Sequence, residues 1–122
     1  MSNVRFILVY VEDVAASAGF YESILGRAAI ESSPTFAMLP AGPDLMLGLW
    51  RRDGVRPAAA SGPGGEIAFT AASEAEVDAM HAHWIARGVA IAQAPTAMDF
   101  GYTFVAVDPN GQRLRVFAPR AN

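Results

Sequence analysis

Apolar residues fall in short runs separated by polar or glycine-containing breaks, and the period of the runs changes along the chain. From Phe6 to Val11 every position is apolar, with Phe6, Leu8 and Tyr10 to one side and Ile7, Val9 and Val11 to the other. That predicts a strand internal to its sheet and covered on both faces. Asp13 stands where a helix N-cap belongs, and Ala15 to Leu25 carries Phe20, Tyr21, Ile24 and Leu25 as a broad apolar stripe that Gly26 ends. Ala28 to Ser32 reads as a weak strand, and Thr35 to Leu39 with Leu45 to Trp50 as a hairpin around Pro40-Ala41-Gly42-Pro43-Asp44. Arg51 to Gly65 has no period and is rich in Gly, Pro, Ala and Ser, the composition of a linker or loop between two halves.

The pattern then begins again. Glu66 to Ala71 is a strand, and Ser73-Glu74-Ala75-Glu76 is a capping box in which Ser73 and Glu76 satisfy each other's orphan amides. The helix that follows has Val77, Met80, His81, Trp84 and Ile85 on adjoining faces and stops at Gly88. Val89 to Gln93 is a short strand and Ala94 to Phe100 a loop. Tyr102 to Val107 and Gln112 to Phe117 close the chain as a hairpin over the turn Asp108-Pro109-Asn110-Gly111, where Pro109 presets φ and Gly111 tolerates a positive φ. Alternation places Arg113, Arg115 and Phe117 on one face of the last strand.

Each half gives strand, helix ended by glycine, and three further strands, a duplication of structure with little matching of individual residues. The pattern predicts an α+β fold: two pseudo-repeated βαβββ modules whose curled mixed sheets form a shared cleft. A single domain over 1–122 would then contain a module at 5–50, a linker at 51–65 and a module at 66–118. An ordinary α+β sandwich without a cleft satisfies the same pattern.

Composition narrows the chemistry. The chain has 122 residues, 52% of them hydrophobic, which suits one domain with a real core. Its net charge is -3, from 9 Lys and Arg against 12 Asp and Glu, and no basic cluster is interleaved with aromatics, so no nucleic acid partner is expected. The absence of cysteine removes disulfides, thiolate catalysis and thiolate ligation. The segment MSNVRFILVYVED lacks the plan of a secretion signal, and no apolar run is long enough to cross a bilayer, so no membrane partner and a cytoplasmic location are expected.

The segments VYVEDVAASAGFYESILG and GYTFVAVDPNGQRLRVF resemble the paired signatures of the vicinal oxygen chelate superfamily, which contains glyoxalases, extradiol dioxygenases, fosfomycin-type thiol transferases and bleomycin resistance proteins. GGEIAFTAASEAEVDAMHAHWIARGVAI resembles the start of the second module. In metal-dependent members the ligands, typically His and Glu, sit near the start of each module's first strand and inside its last. Those places hold Phe6, Gly48, Glu66 and Arg115 here. Phenylalanine and glycine offer no ligand atom, and an arginine repels a divalent cation, so neither metal nor cofactor is expected. His81 and His83 are two apart on a helix and do not share a face.

Alternation and the resemblance together direct Phe6, Leu8, Tyr10, Phe36, Met38, Met46, Trp50, Glu66, Ala68, Thr70, Tyr102, Phe104, Arg113, Arg115 and Phe117 toward the cleft. Of these, Phe6, Tyr10, Trp50, Glu66, Tyr102, Phe104, Arg113, Arg115 and Phe117 are the candidate ligand-binding residues, with Glu66 and Arg115 expected to pair. The resemblance implies a metal-independent protein of the bleomycin resistance type that binds or sequesters an aromatic or amphipathic small molecule, as a homodimer. The alternative is a glyoxalase-like lyase or isomerase with a remodelled site, using Glu66 as base near Tyr102, although a salt bridge to Arg115 would blunt that base.

Overall fold

A computed structural model describes residues 5–120 except 57 and 60–63. The chain divides into two compact units, Met1–Pro63 and Gly64–Asn122. In the first, β1 (Phe6–Val11) leads to α1 (Val14–Leu25), β2 (Glu31–Ser32), β3 (Phe36–Gly42) and β4 (Leu45–Arg51). In the second, β5 (Glu66–Thr70) leads to α2 (Glu74–Ala86), β6 (Ala90–Met98), β7 (Gly101–Val107) and β8 (Arg113–Pro119). The sheet orders are β1-β4-β3-β2 and β5-β8-β7-β6, and in each the first strand lies parallel to the last.

Two βαβββ units with mixed sheets are therefore present, but the expected curling is not. Both sheets are open ladders, ended by β1 and β2 in one and by β5 and β6 in the other. Bulges are what bend a ladder. Here the register shifts are confined to the Pro40/Gly42 end of β3 and to β6, while the β1·β4, β5·β8 and β7·β8 pairings run without one.

In the first unit α1 packs on β3 and β4. Its buried stripe is Val14, Ser17, Ala18 and Tyr21, at helical spacing, while Phe20, Ile24 and Leu25 are only half-buried. Asp13 Oδ1 accepts from the Ala16 amide at 3.1 Å, and Gly26 ends the helix at φ 68 with its N–H on the Glu22 carbonyl. Val9, Val11, Ala37, Leu39, Leu47 and Leu49 complete this core. Burial of each of these valine and leucine side chains contributes roughly 1.5–3 kcal/mol. β1, expected to be internal, is an edge strand with one open face: Phe6 is 51% and Leu8 48% exposed. Its doubly apolar pattern belongs to the surface described below. The weak strand shrinks to Glu31–Ser32. The segment after β4 is more ordered than its composition implied, with a 3₁₀ turn over Arg52–Gly54 and a buried Val55.

In the second unit α2 packs on β6, β7 and β8. Val77 and Trp84 are its buried residues, and Trp84 meets Phe69 and Phe104 edge-on at centroid distances of 5.5 and 5.3 Å. Ile85, expected on the apolar side, is half exposed. The cap differs by one residue from the reciprocal box: Ser73 Oγ accepts from the Glu76 amide at 3.1 Å, but Glu76 Oε2 accepts from Ala72 N–H at 2.9 Å. β6 runs through what composition read as a loop. It is an edge strand of small, mostly exposed residues, so it carries little apolar period, and an edge tolerates Pro95. Among the described residues no helix is long and apolar enough to cross a membrane.

The β7·β8 hairpin differs from expectation in a way that matters. Gln112 belongs to the turn, not the strand. Asp108 N–H donates to the Gln112 carbonyl at 2.9 Å, and Asp108 Oδ1 accepts from the amides of both Asn110 and Gln112 at 2.8 Å. Gly111, at φ 84, donates to the Asp108 carbonyl. Val107 consequently pairs with Arg113, Val105 with Arg115 and Thr103 with Phe117. A one-residue change of register moves every side chain to the other face. Tyr102 and Phe104 therefore lie under α2, opposite Arg113, Arg115 and Phe117.

At the other end of this hairpin Gly101 has φ 152, and a Cβ there would run into the Ala118 carbonyl oxygen. Gly101→Ala should lower stability by about 2 kcal/mol, since it combines a conformation L residues avoid with a backbone collision. Urea unfolding of the two proteins checks this, and equal midpoints would contradict the pairing of Gly101 with Pro119.

Candidate ligand-binding site

The face of the first sheet away from α1 is apolar across three strands. Register brings Phe6 beside Met46, Leu8 beside Gly48 and Tyr10 beside Trp50, while Phe36 and Met38 of β3 pair with Trp50 and Gly48. The missing side chain at Gly48 shapes this face. A Cβ there would lie 2.5 Å from Leu8 Cδ2 and 3.1 Å from the Phe36 ring, so these two side chains converge over the glycine. A hollow of about 660 Å³ opens between Phe6, Leu8, Phe36 and Trp50, with Glu31, Ser33 and Thr35 as its polar rim. Ser33 and Thr35 are fixed by their own turn, in which Ser33 Oγ donates to the Phe36 carbonyl and accepts from the Thr35 and Phe36 amides. Tyr10 stands edge-on to Trp50 at 6.3 Å, and the Arg52 guanidinium lies 5.9 Å from the Tyr10 ring.

The corresponding face of the second sheet is built around charge. β8 carries Arg113, Arg115 and Phe117 outward, paired with Glu66, Ala68 and Thr70 of β5. Arg115 grips Glu66 with two parallel bonds, Nε to Oε1 at 2.9 Å and Nη2 to Oε2 at 3.2 Å. Its Nη1 donates to Thr103 Oγ1 at 3.1 Å, and the Thr103 hydroxyl donates to the Val116 carbonyl at 2.8 Å. Phe100 lies across the guanidinium at 5.5 Å and meets Phe117 edge-on at 6.0 Å. The hydrogen bonds from Arg115, with the fields of Arg115 and Arg113 added, hold the Glu66 carboxyl below its ordinary range against the opposing effect of partial burial.

The structure thus gathers Phe6, Tyr10 and Trp50 on one helix-free face, and Glu66, Arg113, Arg115 and Phe117 on the other. It does not bring Tyr102 and Phe104 to either. Phe104 is fully buried between Trp84 and His81, and the Tyr102 hydroxyl donates to Asp78 Oδ1 of α2 at 2.8 Å, a bond that raises the Tyr102 pKa. A Glu66 base working beside Tyr102 is excluded, because the sheet stands between them. Two residues that sequence reasoning missed take their place, Thr103 and Phe100. Thr103 was legible from hairpin parity had the turn been counted through Gln112. Phe100 gave no signal, since only the fold of the β6–β7 connection lays it over Arg115.

The places at which the resemblance expects metal ligands do not fit a cation here. Phe6 has no donor atom, the space at Gly48 is taken by Leu8 and Phe36, and the Glu66 carboxylate is engaged by a permanent positive charge. Among the described residues no three His, Cys, Asp or Glu side chains gather as a metal set. His81 is half-buried against Phe104, and His83 is exposed on α2, accepting from Arg87.

Paired βαβββ units, each with one face under a helix and the other presenting aromatic or charged side chains, define the class. The chain belongs to the Glyoxalase/Bleomycin resistance protein/Dioxygenase superfamily, whose family model matches residues 4–116. A protein of Agrobacterium tumefaciens solved in solution by NMR is 45% identical, with a TM-score of 0.89 over 99% of this chain and 100% of that one. A glyoxalase/bleomycin resistance protein/dioxygenase from Nocardioides is 26% identical at TM-score 0.84, covering 98% of this chain and 84% of that one. The phenazine antibiotic resistance protein EhpR of Enterobacter agglomerans is 28% identical over 112 residues, 89% of this chain and 86% of its own length. These relationships support small-molecule binding in general.

The Arg115–Glu66 pair is partly screened, with side chains 18% and 32% exposed. A double-mutant cycle with Arg115→Met and Glu66→Gln should give a coupling of about 1–2 kcal/mol, between the values typical of surface and buried pairs. Because the folded pKa of Glu66 is lowered, its contribution is present above the ordinary carboxylate range and is lost as pH falls through the lowered value. The stability gap between wild type and Glu66→Gln should therefore be full above the ordinary glutamate range and shrink as pH falls below it. Coupling under about 0.5 kcal/mol, or a gap independent of pH, would contradict the bidentate geometry.

Proposed function

We propose that this chain is a metal-independent binding protein of the bleomycin resistance type, which sequesters an aromatic or amphipathic small molecule. One observation carries the reading: Phe6, Leu8, Phe36 and Trp50 surround a hollow of about 660 Å³ on an open sheet face. Contiguous exposed apolar surface of this kind marks a place where something binds, and ligand sites of this size are largely apolar with a few polar groups at the margin. The likeness to a phenazine antibiotic resistance protein favours a planar aromatic occupant. The chemistry of Glu66 supports binding over catalysis, since a carboxylate held charged by Arg115 is a poor proton acceptor.

Titration with a panel of planar aromatic compounds, followed by Trp50 fluorescence, tests this. At least one compound should bind with Kd below about 1 mM, and EDTA should not change it. Gly48→Val forces Leu8 and Phe36 aside and should weaken binding about tenfold. Failure of the whole panel, or unchanged affinity in Gly48→Val, would remove the hollow as the site.

A homodimer is part of the same proposal, because each sheet ends in open edge strands of the kind that natural proteins cover. Sedimentation at micromolar concentration should give twice the chain mass. A single 12.9 kDa species would show that the chain works alone.

A further inference from the structure

The Arg115 guanidinium has more donors than the protein uses. Of five N–H groups, one on Nε and one on Nη2 go to Glu66 and one on Nη1 goes to Thr103. One N–H on each terminal nitrogen is left over. The group is also held still. Thr103 is fully buried and gives its proton to the Val116 carbonyl, so toward Arg115 its oxygen can only accept, and Glu66 fixes the opposite edge. Phe100, 44% exposed, has the guanidinium carbon over its ring, and Phe117 meets that ring edge-on. Phe100 is placed there by the φ of 152 at Gly101 and by the Arg120 N–H on its carbonyl. Charge on this face is unbalanced: Arg113 and Arg115 oppose one carboxylate, Glu66, leaving one positive charge.

Building on the binding reading above, we propose that Arg115 is the acceptor-recognising residue of a subsite for an aromatic carboxylate. The ligand ring lies against Phe100 and Phe117, and its carboxylate takes the two unused N–H donors. Thr103 is a positioning residue: it touches no ligand and sets the plane of the fork. A fixed planar fork suits a carboxylate better than a mobile ammonium does, and holding it in place beforehand lowers the cost of binding.

The test compares 2-naphthoate with its neutral isostere 2-naphthamide by calorimetry. Wild type should bind naphthoate about tenfold or more tighter, the amount expected for charge-assisted bonds over neutral ones. The ratio should fall to near one in Arg115→Met/Glu66→Gln, where the second change removes the carboxylate that the first would leave unpaired. Arg113→Met deletes the same charge without touching the fork and should lower the ratio much less. Thr103→Val should reduce the ratio and Thr103→Ser should keep it, an effect a merely structural threonine would not have. Phe100→Ala should weaken both probes alike. Naphthamide binding as tightly as naphthoate, or a ratio unaffected by the Arg115 double variant, overturns the subsite while leaving the wider binding reading intact. If neither naphthalene binds while other planar compounds do, the subsite also falls and the wider reading stands.

Discussion

The side chain of Asp108 sets the register of the last hairpin, and the second unit depends on that register. By accepting from two amides of its own turn, its carboxylate draws Gln112 out of the strand and makes Arg113 the partner of Val107. Gln112 in turn donates through Nε2 to the Gly65 carbonyl at 3.2 Å, tying the entrance of β5 to the same turn. Everything on β8 follows. Leu114 and Val116 go under α2 with Phe104, and Arg115 goes outward to meet Thr103 and Glu66. In the other register Arg115 would sit beneath a helix whose buried residues are Val77 and Trp84, an arrangement that buries an unpaired charge at a cost of several kcal/mol.

The two units use one plan for different surfaces. In the first, the pair Leu8 and Gly48 gives a notch roofed by hydrocarbon, and the strands around it present rings. In the second, the topologically equivalent pair is Ala68 and Arg115, and the small residue lies on the edge strand, leaving room for a guanidinium to reach across to Glu66. The first surface offers apolar area, whose burial is worth roughly 25 cal/mol per Å². The second supplies direction through fixed donors. The side chains at these equivalent places give each face its character, which is why superfamily membership by itself does not name the ligand.

Much of the fold was written locally. Asp13, Ser73 and Gly26 cap their helices because short polar side chains and a glycine answer needs within one turn of backbone. Alternation likewise sorted the side chains within β1, β3 and β4 into two sets each, and the resemblance then directed Phe6, Phe36 and Trp50 to one side, where the register places them. The Arg115–Glu66 pair was expected through the resemblance, which put the two residues at equivalent places, together with the cost of leaving a charge unpaired in a cleft. By contrast only the first part of β6 was legible, and its continuation through residues 94–98 was hidden, because small, mostly exposed residues with one proline carry little apolar period.

What the sequence by itself determined was which residues alternate on each strand and where each helix starts and stops, since those follow from the geometry of adjacent residues. Tertiary structure alone decided the pairing between strands: that β1 is an edge, that the ladders stay open, that Phe104 enters the core under α2 and Tyr102 bonds to that helix while Thr103 and Phe100 attend Arg115. The physical reason is that alternation has a period of two. It sorts side chains into two sets but leaves open which set faces a neighbouring strand's set, and that choice hangs on one residue in a turn.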